Sequence, residues 1–486
     1  MQATATTLAS LICSGYHEKK DGLKAKQIID LVRMNHGVQI KYKKAWRTKE
    51  IDESLVRGTP EDSYHNLAKW LFKVQEKNIG SKVFLEIDKN TKVKYAFVAF
   101  GQSLRGFQHM RRVIAIDGTF LKSKFKGILL GASAQDGYFH LYPLAFGIVD
   151  SENEDSWTWF LRGLKTVIPD AADLVFVSDR AQSIASSLST VYPLAHHGVC
   201  RVHFLKNVKS QFGKKALVES VEAAANSYTR YEFHQTFSSI MISNPKLATY
   251  LEEADFAKWA RSYAPANRYN IMTTNIAESL NSLLNMPREL PVLSLLETIR
   301  MTLSNWFYER REKASRVDKY ATPNVTDIIA GRFDDAMLLD VYQVDEYEFE
   351  VKDDTHKYVV HLQNRPCTCN VFDIDRIPCV HAIAAAKRTR MDEYKLVDPF
   401  YTKETWVKAY SESIHPCGDL SMCSYPDSVS DCFCGLPSTR QSSGIPPKKR
   451  KRSAGEFGVP GSKSQGHKCS RCGIGGHNKS TCRNRI

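Results

Sequence analysis

The chain has 486 residues, of which 43% are hydrophobic and 25% are charged, a composition typical of globular proteins. This length allows about three domains. No run of about 18 apolar residues occurs, so neither a membrane span nor a membrane partner is expected. A short apolar stretch at residues 8–13 has no basic residue before it, which argues against a secretory signal.

The net charge of +14 is concentrated near the two ends of the chain. Residues 440–486 contain 12 Lys and Arg against a single Glu, and residues 19–49 contain 10 against two Asp. Two basic regions around a mildly acidic middle indicate a polyanionic partner such as nucleic acid. Basic faces that only contact solvent are the alternative, chiefly for the N-terminal region.

The first 100 residues are predicted to form a helical, basic module that binds DNA. Apolar stripes at helical spacing occupy residues 23–32 and 67–74. Between them, residues 39–47 are basic and favour a strand, and residues 82–97 alternate as a strand does. Helix packing alone is the alternative explanation for the apolar stripes.

The following segment alternates between apolar runs and amphipathic stretches in a specific order. The runs predict strands at residues 113–116, 128–134, 139–149, 174–177 and 197–199. Asp136-Gly137 marks a hairpin between the second and third strands. Helices are predicted from Ser156 to about Val167, from Ala181 to Thr190, and from near Arg201.

Three antiparallel strands followed by helix, strand, helix, strand and helix is the order of a ribonuclease H-like fold. The predicted fold class is therefore α/β, with a mixed five-stranded sheet in a catalytic core over residues 108–310. Residues 214–265 have helical character throughout and would form an insertion in that core. Small zinc-binding modules and a disordered tail would complete the chain.

Two of these buried strands end in an aspartate, Asp117 and Asp179. An ionised side chain at the end of a buried strand is tolerated at the edge of the sheet, and two carboxylates at one edge can hold a divalent metal. A cap or turn is the alternative for either aspartate alone. A third carboxylate is expected from a later helix, and Glu278 is the candidate. A capping box formed with Asn275 would also explain this glutamate.

Two clusters of cysteine and histidine have the spacing of zinc ligands. Cys367, Cys369, Cys379 and His381 lie within 15 residues of one another, between a predicted hairpin and a helix. This unit, residues 340–392, resembles a SWIM-type zinc finger. Four such ligands form a closed, structural Zn²⁺ site.

The second cluster lies in residues 467–486 and matches a CCHC zinc knuckle. Its four ligands are Cys469, Cys472, His477 and Cys482. Knuckles of this kind bind single-stranded nucleic acid. The sequence therefore predicts two structural Zn²⁺ sites.

The residues between the two zinc clusters, 411–466, are rich in Ser, Pro and Gly and predict a disordered linker. Its four cysteines fit no zinc pattern: Cys417, Cys423, Cys432 and Cys434. The linker also contains a basic run, Lys448, Lys449, Arg450, Lys451 and Arg452, that looks like a nuclear localisation signal. Nuclear localisation is therefore expected, with non-specific polyanion contact as the alternative for this run.

Taken together, these motifs resemble those of Mutator-like element transposases. The resemblance covers roughly residues 20–400 and rests on Ile-Asp-Gly-Thr-Phe around Asp117, Val-Ser-Asp-Arg around Asp179, Asn-Ile-Ala-Glu-Ser-Leu-Asn around Glu278, Cys-Arg-Val-His-Phe from Cys200, and the segment from Gly147 to Trp157.

The resemblance implies an acidic triad of Asp117, Asp179 and Glu278. Such a triad would hold two Mg²⁺ or Mn²⁺ ions for cleavage and strand transfer of DNA. The family's Cys-x-x-His motif falls on Cys200 and His203. Two ligands do not make a zinc site, so a structural or phosphate-positioning role is expected, with plain core residues as the alternative.

Two functions follow from these predictions. The first is a DDE-type transposase that binds DNA, cuts and joins it, and self-associates to hold two ends. The second is a catalytically silent, domesticated derivative that acts as a nuclear, zinc-dependent DNA-binding regulator. A third interpretation, RNA binding through the knuckle, leaves the carboxylates unexplained.

Overall fold

A computed structural model describes residues 4–9, 25–353 and 355–438. Its main feature is a mixed sheet of seven strands, with a separate three-stranded sheet further along the chain. The strands of the large sheet are Lys82–Ile87 (β1), Val93–Ala99 (β2), Val113–Phe120 (β3), Ile128–Gln135 (β4), Leu141–Val149 (β5), Val175–Ser178 (β6) and His196–Val199 (β7). Those of the small sheet are Asp340–Gln343 (β8), Glu348–Lys352 (β9) and Lys357–His361 (β10).

The large sheet has the strand order β1-β2-β5-β4-β3-β6-β7. Strand β4 runs antiparallel to its neighbours β3 and β5, and β6 and β7 run parallel to β3. All five strands lie where the apolar runs predict them. The sheet has seven strands rather than the five expected, because β2 pairs with the free edge of β5 and β1 pairs with β2.

Helices surround the large sheet. The helices that precede its strands, connect them or directly follow the last one are Ala25–His36 (α1), Tyr42–Arg57 (α2), Pro60–His65 (α3), Leu67–Lys77 (α4), Gly101–Phe107 (α5), Glu154–Lys165 (α6), Gln182–Val191 (α7) and Arg201–Phe212 (α8). The predicted insertion is helical, with Val218–Asn226 (α9), Arg230–Ser243 (α10), Pro245–Glu253 (α11) and Phe256–Trp259 (α12). Its helices pack around a core of their own.

The remaining helices follow the insertion. They are Asn275–Leu283 (α13), Val292–Ser315 (α14), Pro323–Gly331 (α15), Phe333–Met337 (α16), Val371–Asp375 (α17), Val380–Arg388 (α18), Lys403–Ala409 (α19) and Asp427–Ser430 (α20). Short 3-10 turns connect several of them, at Gly213–Lys215, Arg261–Tyr263, Pro287–Glu289, Glu393–Leu396, Pro399–Tyr401 and Leu420–Met422. None of the helices in the described ranges combines the length and the apolar character that crossing a bilayer requires.

Local sequence explains the start of α6, the helix that follows β5. The side chain of Asn153 accepts a hydrogen bond from the Ser156 N–H at 2.9 Å, which caps the helix. Acidic residues in the first turn complement the helix dipole. Trp157, Phe160 and Leu164 form the buried stripe that holds the helix against the sheet.

The N-terminal region differs from the prediction in two respects. The basic segment 39–47 enters helix α2 instead of forming a strand, because Ala45 and Thr48 are buried at helical spacing. Residue 100 is not a boundary between separate bodies. Residues from Tyr64 onward, including Trp70, share one hydrophobic core with the large sheet.

The prediction of a disordered linker over residues 411–466 is wrong for residues 411–438. Ile414, Cys417 and Cys434 are buried in the core of the large sheet. The backbone N–H of Gly435 also donates to the carbonyl of Thr91 at 2.7 Å, at the β1–β2 turn. Polar composition concealed this segment because only a few of its residues are apolar, although Ile414, Cys417 and Cys434 among them are buried. Residues 439–466 lie outside the described residues.

The β4–β5 turn joins the large sheet to the C-terminal elements. The carboxylate of Asp136, fully buried in this turn, accepts hydrogen bonds from the hydroxyl of Tyr410 at 2.8 Å and from the indole of Trp406 at 3.1 Å. The next carbonyl, of Gly137, accepts from the hydroxyl of Thr322 at 2.7 Å. This turn therefore fixes the position of the helices that lead into and out of the small sheet.

Candidate functional site

Asp117 and Asp179 lie side by side at one edge of the large sheet. Ala115 of β3 pairs in parallel with Val177 of β6, and each aspartate lies two residues beyond its member of that pair. Neighbouring strands are about 4.8 Å apart, so the two carboxylates emerge close together. Since side chains alternate along a strand, both point to the face that carries Ala115 and Val177, which is the face covered by α13.

The electrostatics of Asp117 reflect this proximity. Burial and then repulsion by the carboxylates of Asp179 and Glu152 raise the pKa of Asp117 to about 7. The backbone N–H of Gly118 donates to its Oδ1 at 3.0 Å and opposes that shift. A cluster of carboxylates that disfavour one another's charge is what a divalent cation would stabilise.

Two residues that sequence reasoning missed contribute to this edge. Asn281 Nδ2 donates a hydrogen bond to Asp117 Oδ2 at 2.7 Å. A Cβ atom added at Gly118 would lie 2.9 Å from Glu152 Oε1, which places that carboxylate against β3. A signal existed for Asn281, because it is three residues after Glu278 on the same helix face. Glu152 lies in the segment quoted for the resemblance, where nothing distinguished it from its acidic neighbours.

Glu278 lies in the first turn of α13. The alternative explanation for this glutamate, a capping box formed with Asn275, is wrong. The helix is preceded by Thr274, Asn275 is already helical, and no side chain caps this helix end. The carboxylate of Glu278 instead accepts from the Thr274 hydroxyl at 3.5 Å and lies 3.7 Å from His203 Nε2.

Cys200 and His203 lie beside Glu278, at the start of α8. A sulfur of Cys200, a ring nitrogen of His203 and a carboxylate oxygen of Glu278 all lie within 4.8 Å of one another. Burial opposes ionisation of Cys200, but His203 and the Thr274 N–H outweigh it and lower the thiol pKa to about 7. Interaction with the sulfur of Cys200, followed by the charges of Asp179 and Glu278, outweighs burial and raises the pKa of His203.

The predicted ligands of the zinc finger come together in the small sheet. Donor atoms of Cys367, Cys369, Cys379 and His381 all lie within 4.8 Å of one another, and all four side chains are buried. The ring of Tyr358 stacks on His381 with 3.9 Å between centroids. Four soft ligands without an open position suit a structural Zn²⁺ ion.

The surroundings of these ligands are also ordered. Asp373 accepts the backbone N–H of Cys367 at 2.8 Å, and Cys379 accepts that of Ala382 at 3.4 Å at the start of α18. The predicted hairpin and helix are confirmed as β9, β10 and α18, with β8 as an additional strand. The ligands of the zinc knuckle, Cys469, Cys472, His477 and Cys482, and the basic run 448–452 lie outside the described residues.

Comparison with known protein families gives one match within the large sheet and one within the finger. Residues 113–207 match the MULE transposase domain, and residues 358–389 match the SWIM zinc finger. The chain therefore carries a Mutator-like transposase domain followed by a SWIM zinc finger, as its motifs imply.

Three curated proteins are similar to parts of this chain. The transposase for insertion sequence element IS1201 of Lactobacillus helveticus is 28% identical over 165 residues, covering 30% of this chain and 41% of that protein. Protein FAR1-RELATED SEQUENCE 5 of Arabidopsis thaliana is 22% identical over 366 residues, covering 65% of this chain and 45% of that protein. Protein FAR1-RELATED SEQUENCE 6 of the same plant is 21% identical over 223 residues, covering 43% and 30%. The chain thus spans less than half the length of each of these relatives.

Proposed function

We propose that this protein is a Mutator-like transposase that binds DNA and catalyses metal-dependent cleavage and strand transfer. The observation that carries the proposal is the position of Asp117 in β3 and of Asp179 just after β6, each two residues beyond a paired position of these adjacent parallel strands, under the helix that bears Glu278. The order and directions of the five strands β5, β4, β3, β6 and β7 support a ribonuclease H-like core. The similarity to a named transposase supports the same function.

The proposed roles of the residues follow from their positions. Asp117, Asp179 and Glu278 would hold Mg²⁺ or Mn²⁺, since hard oxygen ligands select such ions. The ions, when bound, would activate a water molecule or a DNA 3′-hydroxyl and stabilise the leaving oxygen. Asn281 and the Gly118 N–H orient the carboxylate of Asp117 through one hydrogen bond to each of its oxygens.

Several features support DNA as the partner. The chain carries a net charge of +14, and the described part of the N-terminal basic region presents exposed basic side chains, Lys43 and Arg47 on α2 and Lys41 just before it. The zinc finger and the predicted zinc knuckle would supply two further modules of a kind that contacts nucleic acid, the knuckle favouring single strands. The basic run 448–452 supports a nuclear location, and cutting two ends together requires self-association.

A catalytically silent DNA-binding regulator is the second candidate. One observation favours it: the carboxylate of Glu278 lies against His203 and Thr274, so the third acid is already engaged by neighbouring side chains. This protein would bind DNA through the same surfaces without cutting it.

The test is nicking of supercoiled plasmid DNA by the purified full chain in Mn²⁺. We expect Asp117→Asn, Asp179→Asn and Glu278→Gln each to abolish nicking without loss of DNA binding. Asp155→Asn is the matched control, because this exposed acid lies close in sequence to Glu152 but on the first turn of α6. Equal nicking by the wild type and the Asp117 variant would exclude the enzyme. DNA binding without nicking by any of these proteins would favour the regulator.

A further inference from the structure

A second cluster of metal-ligating atoms lies beside the acidic edge. It consists of the sulfur of Cys200, a ring nitrogen of His203 and a carboxylate oxygen of Glu278, all within 4.8 Å of one another. Within the described ranges, the four finger ligands form the other group of this kind. Cys200 and Glu278 are far apart in sequence, so the fold itself brings these donors together.

Backbone contacts hold the cluster in place. The N–H of Arg201 donates to the carbonyl of Met272 at 2.9 Å, which ties the start of α8 to the segment before α13. The N–H of Thr274 donates to the sulfur of Cys200 at 3.3 Å. The first turns of two helices therefore present their ligands to a common point from fixed backbones.

The polar atoms of the cluster are incompletely satisfied by the protein. In the part of the chain that the structure describes, Nδ1 of His203 is buried without a hydrogen-bond partner. Its Nε2 is 3.7 Å from Glu278 Oε1, beyond ordinary hydrogen-bond length. A buried nitrogen without a partner is destabilising, and coordination of a cation through that nitrogen would remove the penalty.

We propose that Cys200, His203 and Glu278 bind a divalent transition-metal ion of the zinc type. Thiolate and imidazole ligands select Zn²⁺ or Co²⁺ over Mg²⁺, which prefers oxygen. Binding releases the thiol proton of Cys200 to solvent and forms one bond from each residue to the metal. Three protein ligands leave a fourth position for an exchangeable water, unlike the closed set of the finger.

The proposed ion has a direct consequence for Glu278. This carboxylate would be shared between the transition-metal site and the Mg²⁺ or Mn²⁺ site that contains Asp117 and Asp179. Excess Zn²⁺ would therefore withdraw Glu278 from the acidic site. Metal binding by Cys200, His203 and Glu278 does not require that the acidic site cut DNA, so the two can succeed or fail separately.

The experiment measures bound metal in the purified full chain after loading with Co²⁺ and removal of excess ion. We expect Cys200→Ser and His203→Gln each to bind one Co²⁺ per chain less than the wild type. Cys200→Ser should also reduce the near-ultraviolet absorption that arises from cobalt–thiolate bonds. Cys423→Ser is the control, since this half-exposed cysteine lies outside both clusters and donates to the carbonyl of Asp419.

A second property separates this site from the finger. Because it is open, its ion should be removed by a weak chelator that leaves the four-ligand finger loaded. Should Cys200→Ser fail to fold, His203→Gln decides the matter, because that side chain is 26% exposed and tolerates replacement. Wild-type Co²⁺ content in the folded His203→Gln protein would overturn the proposal, whatever the result of the nicking test.

Discussion

Asn281 Nδ2 lies 2.7 Å from Asp117 Oδ2 and donates a hydrogen bond to it, across the interface between α13 and the large sheet. The helix that carries the third acid thus also fixes the orientation of the first. A residue that orients a metal-binding carboxylate without touching substrate is a positioning residue.

We expect Asn281→Ala to reduce Mn²⁺-dependent nicking by about 10–100-fold, the usual cost of losing a partner that orients a metal ligand. The thermal midpoint should change little, because Asn281 is only half-buried. Raising the Mn²⁺ concentration should restore part of the rate. Ser282→Ala, at the adjacent exposed position of the same helix, should nick like the wild type. A variant of Asn281 with an unchanged Mn²⁺ dependence would contradict the positioning role.

Removal of zinc from the finger should unfold the small sheet and leave the large one intact. The three cysteine ligands are part of the hydrophobic core that contains Phe349, Val360 and Phe372, so loss of the ion would expose that core. Cys379→Ser should lose one bound zinc and become sensitive to limited proteolysis within residues 340–392. Thr368→Ser, exposed between two of the ligands, should retain its zinc and its resistance. Equal resistance of both variants would show that packing alone maintains this module.

Asp136 should contribute stability that depends on pH. Burial acts to raise its pKa, but hydrogen bonding with His140 and the charge of Arg310 outweigh burial, and the pKa in the folded protein lies below the ordinary value of 3.8. A lowered pKa gives stability that is fully present well above pH 3.8 and is lost as pH falls through the folded-state value.

Urea unfolding from pH 7 down to pH 3 measures this contribution. Asp136→Asn should cost about 3 kcal/mol at pH 7, as expected when a buried charged partner is removed, and should flatten the acidic part of the profile. Tyr410→Phe, which removes one of the donors to Asp136, should cost about 1.5 kcal/mol at pH 7. If Asp136→Asn kept the acidic slope of the wild type, other carboxylates would be responsible for it.

Residues 411–438 should behave as part of the core. Ile414 is 2% exposed, so Ile414→Ala should lower the free energy of unfolding by about 2–5 kcal/mol. Met422→Ala provides the comparison, because that side chain is 86% exposed and its loss should cost less than about 0.5 kcal/mol. Equal stability of the two variants would restore the prediction of a disordered linker for this segment.

The elements that sequence predicts well here are those with strong local signals. Strands β3 to β7 are continuous apolar runs, and the ligands of the finger have a restrictive spacing. The pairing of β2 with β5 was missed because it depends on contacts between segments about 50 residues apart, for which alternation gives no partner. Polar composition similarly hid the burial of Ile414.

The residues of the candidate site also divide into those with a local sequence signal and those that only three-dimensional contacts reveal. Asp117 and Asp179 could be found because a charge at the end of a buried strand is unusual. Asn281 and Glu152 are ordinary polar residues in the sequence, and only the three-dimensional arrangement brings them to Asp117. The proximity of Cys200 to Glu278 likewise depends on how α8 and α13 begin beside each other.

The β4–β5 turn accepts hydrogen bonds from Thr322, Trp406 and Tyr410. These bonds connect the large sheet rigidly to the helices on either side of the finger module. The insertion is also connected to the finger module, since the Tyr228 hydroxyl donates a hydrogen bond to Asp375 at 2.9 Å. A DNA duplex held by both parts would meet them at a constant spacing along its axis. The number of base pairs between the DNA sequence bound by the finger and the phosphodiester bond that lies at Asp117 would then be determined by the protein rather than by the DNA.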